Sequence, residues 1–259
     1  EFDARLMSIK ENYPAPAYYS LLNIITSHDV ERIMTRMGDA PSRHEISKDF
    51  QASFKLDGYA LELAKEKATL VVGLQMMLPG VPCIYYGDEI GIQNNFANAK
   101  KSAEIRKNRQ KQEKNKPKML SYFDSRDINR GPIEKHVFYD AIHKKGTFNN
   151  IVYEKVKKLI KVRKQYLVMS RGKFVRVKTD SPEIFAYVRE TEKERVVVIN
   201  NLSQKRLKAV VTFTNDDFGK KPKDLYMKDL LTDKMIKVKV ENKDLTTRLN
   251  PYSAMWLKL

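Results

Sequence analysis

Two short apolar runs, each ending abruptly in polar and chemically capable residues, organise the hydrophobic pattern of this chain. The first, Leu21-Leu22-Asn23-Ile24-Ile25, leads into Thr26-Ser27-His28-Asp29; the second, Val81 to Tyr86, leads into Gly87-Asp88-Glu89. Apolar runs without alternation predict strands buried on both faces, as in a parallel sheet covered by helices. Groups placed where such a strand stops sit on the face where parallel α/β sheets and barrels put their chemistry. Phe2, Leu6, Ile9 and Tyr13 predict a helix over residues 2 to 12, ended before Pro14 and Pro16. Ser27 or Asp29 can cap a following helix that carries Ile33, Met34 and Met37 and stops at Gly38. Residues 39 to 57 read as a loop. Leu61, Ala64, Ala68, Val71 and Leu74 predict a helix from 59 to 77, closed by Pro79-Gly80. The Lys-rich stretch from 94 to 118 is helical in part, residues 119 to 148 show little periodicity, and Val152, Val156, Leu159, Ile160 and Leu167 mark one long helix.

After about residue 170 the period drops to two. Residues 173–177, 184–188, 195–199, 207–213, 225–230, 236–240 and 254–257 read as strands separated by turn residues. Ile236, Val238 and Val240 alternate with Lys237, Lys239 and Glu241, as a half-buried antiparallel strand requires. Seven or eight short strands describe a small antiparallel β-sandwich. The fold class is therefore α/β followed by all-β, with residues 1–169 forming the first domain and 170–259 the second. Two parallel strands alone cannot close a barrel or make a stable open sheet, so further sheet-forming sequence is expected upstream.

The chain has 259 residues with 49 Lys+Arg against 32 Asp+Glu, a formal charge of +17. That bias raises the question of nucleic acid or an anionic surface. The cations are spread along the chain, however, and the densest patch, Lys100 to Lys118, holds Glu104 and Glu113 and no aromatic residue on which a base could stack. A solvated basic helix is the expectation, with no nucleic acid as partner. No apolar run is long enough to span a membrane, and no signal peptide is visible at the first residues. A single cysteine, Cys83, excludes an internal disulfide and is expected to be a small buried hydrophobe; this favours a cytoplasmic location. Four histidines without paired ligand spacing argue against a zinc site, and neither metal nor cofactor is expected.

The motifs, taken in order, resemble the C-terminal part of an α-amylase-family glycoside hydrolase, most of all the cyclomaltodextrinase, neopullulanase and maltogenic amylase group. Asn23 to Arg32 is similar to the family segment ending in His-Asp at barrel strand seven. Leu78 to Gly91 resembles barrel strand eight, Leu159 to Lys164 the last barrel helix, and Asp229-Leu230-Leu231-Thr232 and Leu249 to Ala254 the appended β-domain. The resemblance implies the last strand-helix units of a (β/α)8 barrel plus a C-terminal antiparallel β-sandwich. It implies retaining cleavage of α-glucosidic bonds in maltooligosaccharides, cyclodextrins or starch-like glucans by a nucleophilic carboxylate and an acid/base carboxylic acid. In the family those two come from strands four and five, and no matching segment exists in this chain. The expected partners are thus an α-glucan substrate and the missing N-terminal part of the same enzyme. Asp29 corresponds to the third family acid, a transition-state stabiliser, and His28 to a hydrogen-bonding group on the same sugar. Asp127 and Arg130 resemble a substrate-binding pair that grips a neighbouring sugar.

Each of these residues also has a plainer reading. From spacing alone Asp29 is a helix N-cap, and His28 an ordinary strand-end histidine. Asp127 and Arg130 can equally be an ion pair that holds its loop. Two other functions stay open on the sequence: a non-catalytic carbohydrate-binding or assembly module, and a basic nucleic-acid-binding protein.

Overall fold

The computed structural model describes residues 2–40, 45, 55–113, 122, 124–215, 218, 219 and 221–259. They divide into two compact units, one of Glu1–Asn23, Leu70–Pro82 and Val156–Leu259, the other of Ile24–Thr69 and Cys83–Lys155. Helices α1 (Phe2–Asn12) and α2 (Ala15–Tyr18) come first, then strand β1 (Leu22–Ile24) and helices α3 (Ile33–Met37) and α4 (Gly58–Met77). Strand β2 (Val81–Cys83), a 3₁₀ turn (Asp88–Ile90) and helix α5 (Phe96–Gln112) follow. A second 3₁₀ turn (Ser125–Ile128) precedes α6 (Lys135–His143), α7 (Phe148–Gln165) and α8 (Leu167–Arg171). The expected loop over 39–57 and the end of the Lys-rich stretch fall mostly outside the described residues.

The two apolar runs are hydrogen-bonded neighbours in one two-stranded sheet, as their pattern requires. The Val81 N–H donates to Leu21 O at 2.8 Å, and the Asn23 amide donates to Pro79 O at 2.9 Å. Gly80 lies between α4 and β2 at φ 106°, where a Cβ would stand 2.5 Å from Leu21 O. Only glycine lets the chain turn this close to the neighbouring backbone. The expectation of burial on both faces is corrected. Leu22, Ile24 and Val81 are exposed, and the half-buried positions are Asn23 and Pro82. Cys83, expected to be buried, is exposed for the same reason. Residues alternate faces along a strand, and among the described residues no third strand covers the apolar side.

Helix α6 was not foreseen. Its sequence, Lys-His-Val-Phe-Tyr-Asp-Ala-Ile-His, mixes aromatic and β-branched residues, and only Ala141 is buried. The long helix expected to reach Leu167 stops at Gln165, because Tyr166 is extended and starts the short α8.

The antiparallel strands foreseen after residue 170 are present. Strands β3 (Lys173–Arg176), β4 (Lys178–Thr179), β5 (Ile184–Glu190), β6 (Arg195–Asn201), β7 (Leu207–Thr212), β8 (Lys223–Asp229), β9 (Lys234–Glu241), β10 (Asp244–Leu249) and β11 (Ala254–Lys258) form one sheet. Its order is β3-β5-β6-β11-β8-β9-β10-β7-β4. Strands β3 and β4 stand at opposite ends of that order yet are separated in sequence by Val177 alone, so one stretch of chain links the two ends of the sheet. The enclosed core includes Val188, Val197, Ile199, Val211, Leu245 and Leu257. Strand β10, missed in the sequence, buries Leu245, Thr247 and Leu249; its two threonines disguised the alternation.

Two arginines bind backbone carbonyls at the end of α4 and around α8. Arg163 donates to Met76 O, to Gly80 O at 2.7 Å and to Met169 O at 3.2 Å. Arg189, fully buried, donates to Met77 O and to Gly172 O at 2.8 Å. Helix C-termini carry unsatisfied carbonyls and partial negative charge, which suits a guanidinium. Burial, and then repulsion from Arg189, pulls Arg163 down to about 10.

Candidate functional site

Beyond β1 the chain leaves the strand and turns. The Asp29 N–H donates to Ser27 Oγ at 3.1 Å. Helix α3 begins only at Ile33, with Arg32 preceding it and no side-chain cap. Asp29 is therefore not an N-cap, and its carboxylate takes partners outside the helix. His28 and Asp29 both face solvent, with side chains 63% and 51% exposed, and His28 Nε2 lies 3.2 Å from Asp29 Oδ2.

The other oxygen of Asp29 is held by the turn after α5. Arg126 Nη1 donates to Asp29 Oδ1 at 3.0 Å, and Arg130 Nη2 donates to the same oxygen at 3.2 Å. Arg130 Nε also donates to the His28 carbonyl at 2.9 Å. The hydrogen bond from Arg126 is the largest influence that holds the Asp29 carboxyl below its usual pKa, with His28 and both guanidiniums adding to it against a smaller effect of burial.

Arg126 is itself braced. Asp124 accepts from Arg126 Nε at 2.9 Å, from Nη2 at 2.7 Å and from the Arg126 backbone N–H at 2.9 Å, capping the 3₁₀ turn. This chelation holds the Asp124 carboxyl well below the usual range. Asn129, almost fully buried, pins the turn to the strand end: its Nδ2 donates to Ser27 O at 2.9 Å and to Val30 O, on either side of the dyad. Tyr86, just past β2, fixes Gly131 from both directions. Its hydroxyl donates to Gly131 O at 2.7 Å and accepts from Gly131 N–H at 3.0 Å.

The structure thus brings three of the four foreseen residues together: His28, Asp29 and Arg130. Asp127 is elsewhere. It is buried, and both its oxygens are taken by Arg106 of α5, at 2.5 and 2.8 Å. A carboxylate with both oxygens in a bidentate fork anchors a turn and leaves little capacity for a sugar hydroxyl. Arg106, Arg126 and Asn129 were not foreseen. The repeat Arg126, Arg130 around a turn was a legible signal; Arg106, twenty-one residues from its partner, offered none.

Asp88 and Glu89, at the end of the second run, begin a 3₁₀ turn. Asp88 is buried, accepts from Thr26 Oγ1 and lies 3.4 Å from Arg32 Nη1, whose guanidinium stacks 4.4 Å from the Tyr85 ring centre. A cavity of about 700 Å³ lies beside the turn, lined by Asn98, Lys100, Arg130, Pro132 and Phe148 among others, but His28 and Asp29 are not in its wall. Its amides already hold backbone, Asn98 on Arg130 O and Asn149 on Ile90 O. We read it as scaffolding of the turn.

Comparison with known proteins identifies the family. The description "Alpha amylase, catalytic domain" matches residues 4–172, and "Alpha-amylase SusG C-terminal domain" matches residues 184–255. Alpha-amylase 3 of Dictyoglomus thermophilum is 31% identical over 195 residues, covering 75% of this chain and 34% of that protein. A cyclomaltodextrinase of Geobacillus thermopakistaniensis is 25% identical over 253 residues, covering 97% of this chain and 31% of its own length. The crystal structure of an alpha-amylase from Geobacillus thermoleovorans, complexed with acarbose, superposes with TM-score 0.62 at 16% identity, over 99% of this chain and 42% of that one. The chain spans about a third of the length of these two curated relatives, and far less of the amylopullulanases it also matches. With a catalytic-domain match over well more than half its residues, this chain belongs to the alpha-amylase family.

Proposed function

We propose that this chain is the C-terminal section of a retaining glycoside hydrolase acting on α-glucosidic linkages, akin to the cyclomaltodextrinase and maltogenic amylase group. In this reading residues 1–169 belong to the catalytic barrel and 170–259 to the appended β-domain. The nucleophile and the acid/base are supplied by sequence outside these 259 residues. Asp29 stabilises the oxocarbenium-like transition state, His28 hydrogen-bonds the same sugar, and Arg130 lines the site beside them. Asp127 holds the turn.

The observation that carries this reading is the exposed His28–Asp29 dyad at the end of β1, gripped through one carboxylate oxygen by Arg126 and Arg130. A fixed, ionised carboxylate favours a cationic transition state over a neutral ground state, which is what accelerates the step. The partners are an α-glucan and the N-terminal remainder of the enzyme, and not nucleic acid.

Calorimetry with maltotriose, together with an assay for released reducing ends, tests it on the chain as it stands. The expected result is weak binding, reduced at least tenfold by Asp29→Asn and by His28→Ala, with no turnover. Turnover at an ordinary enzymatic rate, or binding indifferent to both substitutions, overturns it.

A further inference from the structure

We propose that Arg126 is a positioning residue for Asp29: braced by Asp124, it locks the Oδ1 side of the carboxylate so that Oδ2 and His28 Nε2 are presented together to the sugar. This rests on the sugar-contacting role of Asp29 given above, and it concerns a residue that touches the sugar only through Asp29.

The argument is one of acceptor capacity. A carboxylate has about four lone-pair sites, two on each oxygen. Two donors converge on Asp29 Oδ1, from Arg126 at 3.0 Å and Arg130 at 3.2 Å, and fill it. Oδ2 meets His28 Nε2 at 3.2 Å and keeps capacity for a hydroxyl on a side chain that is half exposed. A lone aspartate on an exposed turn rotates about two bonds, and that freedom is lost when a ligand binds. Here the rotation is stopped beforehand.

The two arginines are anchored differently. Arg130 is tied to the His28 carbonyl and moves with the strand end. Arg126 is tied to Asp124 through Nε and Nη2, leaving Nη1 for Asp29. A planar guanidinium held on one edge presents its remaining nitrogen in a fixed direction, which a lysine ammonium on a flexible stem does not do. Asp124 is therefore part of the same device, one step further from the sugar. The hold of Arg126 on the Asp29 proton affinity agrees with this arrangement.

The experiment follows Asp29 in the 259-residue chain by carboxylate NMR titration and by maltotriose calorimetry, for the wild type, Arg126→Gln, Arg126→Lys, Asp124→Asn and Asp29→Asn. Arg126→Gln is expected to move the Asp29 titration upward and to weaken maltotriose about tenfold. Asp124→Asn, which leaves Asp29 and Arg126 in place, should give the same changes in smaller measure. Arg126→Lys should restore the titration in part without restoring affinity. Combined with Asp29→Asn, Arg126→Gln should add no further loss, since its effect runs through that carboxylate. If Asp29→Asn weakens maltotriose while Arg126→Gln and Asp124→Asn leave both readouts at wild-type values, the positioning role is wrong and the role of Asp29 stands. If Asp29→Asn leaves maltotriose affinity unchanged, the role of Asp29 falls and takes the positioning role with it. Should Arg126→Gln fail to fold, Asp124→Asn and Arg126→Lys carry the same comparison.

Discussion

At the scale of single residues, the site depends on polar groups placed where their alternatives are costly. Asn129 is the clearest case, since its amide nitrogen bridges Ser27 O and Val30 O in a position sealed from water. Asn129→Asp would set carboxylate oxygens against two carbonyls, and we expect a loss of about 3 kcal/mol or more in urea unfolding. Asn129→Ala, which removes the donor without adding charge, should cost about half that. Asp88 makes a prediction about pH. Burial pushes its carboxyl up to about 6, against smaller downward pulls from the Thr26 hydroxyl and the Arg32 guanidinium. Between roughly pH 4 and 6 the folded chain keeps a proton on Asp88 that the unfolded chain has released. The stability due to this group is complete below that window, falls as pH rises through it and is gone above it, a change of about 3 kcal/mol. Asp124 and Asp29, held low by arginines, act in the opposite sense and below that window. Urea midpoints between pH 4 and 6.5 should therefore slope downward in the wild type and be flat in Asp88→Asn. Superposable profiles would show that Asp88 is ionised throughout.

At the scale of elements, turns tie neighbouring strands together through buried carboxylates. Asp229, at the end of β8, accepts from Leu231 N–H at 3.3 Å, Thr232 N–H at 3.1 Å, the Thr232 hydroxyl at 2.6 Å and Trp256 N–H of β11 at 3.0 Å. One side chain thus shapes the β8–β9 turn and fixes it to the strand alongside. Asp229→Ala leaves the buried Trp256 N–H and three part-buried donors without their acceptor, and a loss of about 2 kcal/mol is expected in thermal unfolding. Asp229→Asn, with one acceptor oxygen left, should fall between the two. The same logic explains the Asp229-Leu230-Leu231-Thr232 motif, where the acid and the threonine three residues later are hydrogen-bonded to each other. Among the described residues the two ends of the sheet are its short strands, β3 of four residues and β4 of two, and short edges offer little template for pairing with another chain.

At the scale of the whole molecule, charge and partner choice are at issue. A formal charge of +17 would promote non-specific binding to DNA if its cations were gathered on one surface. Several of the cations near the site are committed instead to carboxylates, Arg106 to Asp127, Arg126 to Asp124 and Asp29, and Arg130 to Asp29. Fluorescence anisotropy with generic duplex DNA at low salt is expected to stay flat; tight binding with a steep salt slope would restore the nucleic-acid reading. Among the described residues no helix is long and apolar enough to cross a membrane.

Local patterns alone determined much of this protein. The helix periods around Ala64, Ala68 and Val71 and the alternation at Ile236, Val238 and Val240 are short-range rules that hold wherever the segment lies. The strands of the β-domain were legible for the same reason, whereas the motif around His28-Asp29 was legible through its resemblance to the α-amylase family, since spacing alone made Asp29 a helix N-cap. What only the tertiary structure decided was the fate of groups whose partners are distant in the chain. Asp127 and Arg126 are adjacent in sequence, yet one turns inward to Arg106 and the other outward to Asp29. The exposure of Cys83, Leu22 and Ile24 depended on neighbours that the apolar runs cannot specify. Periodicity records which residues want to be covered. Which carboxylate is buried in a guanidinium fork, and which stays half exposed, is settled by three-dimensional neighbours alone.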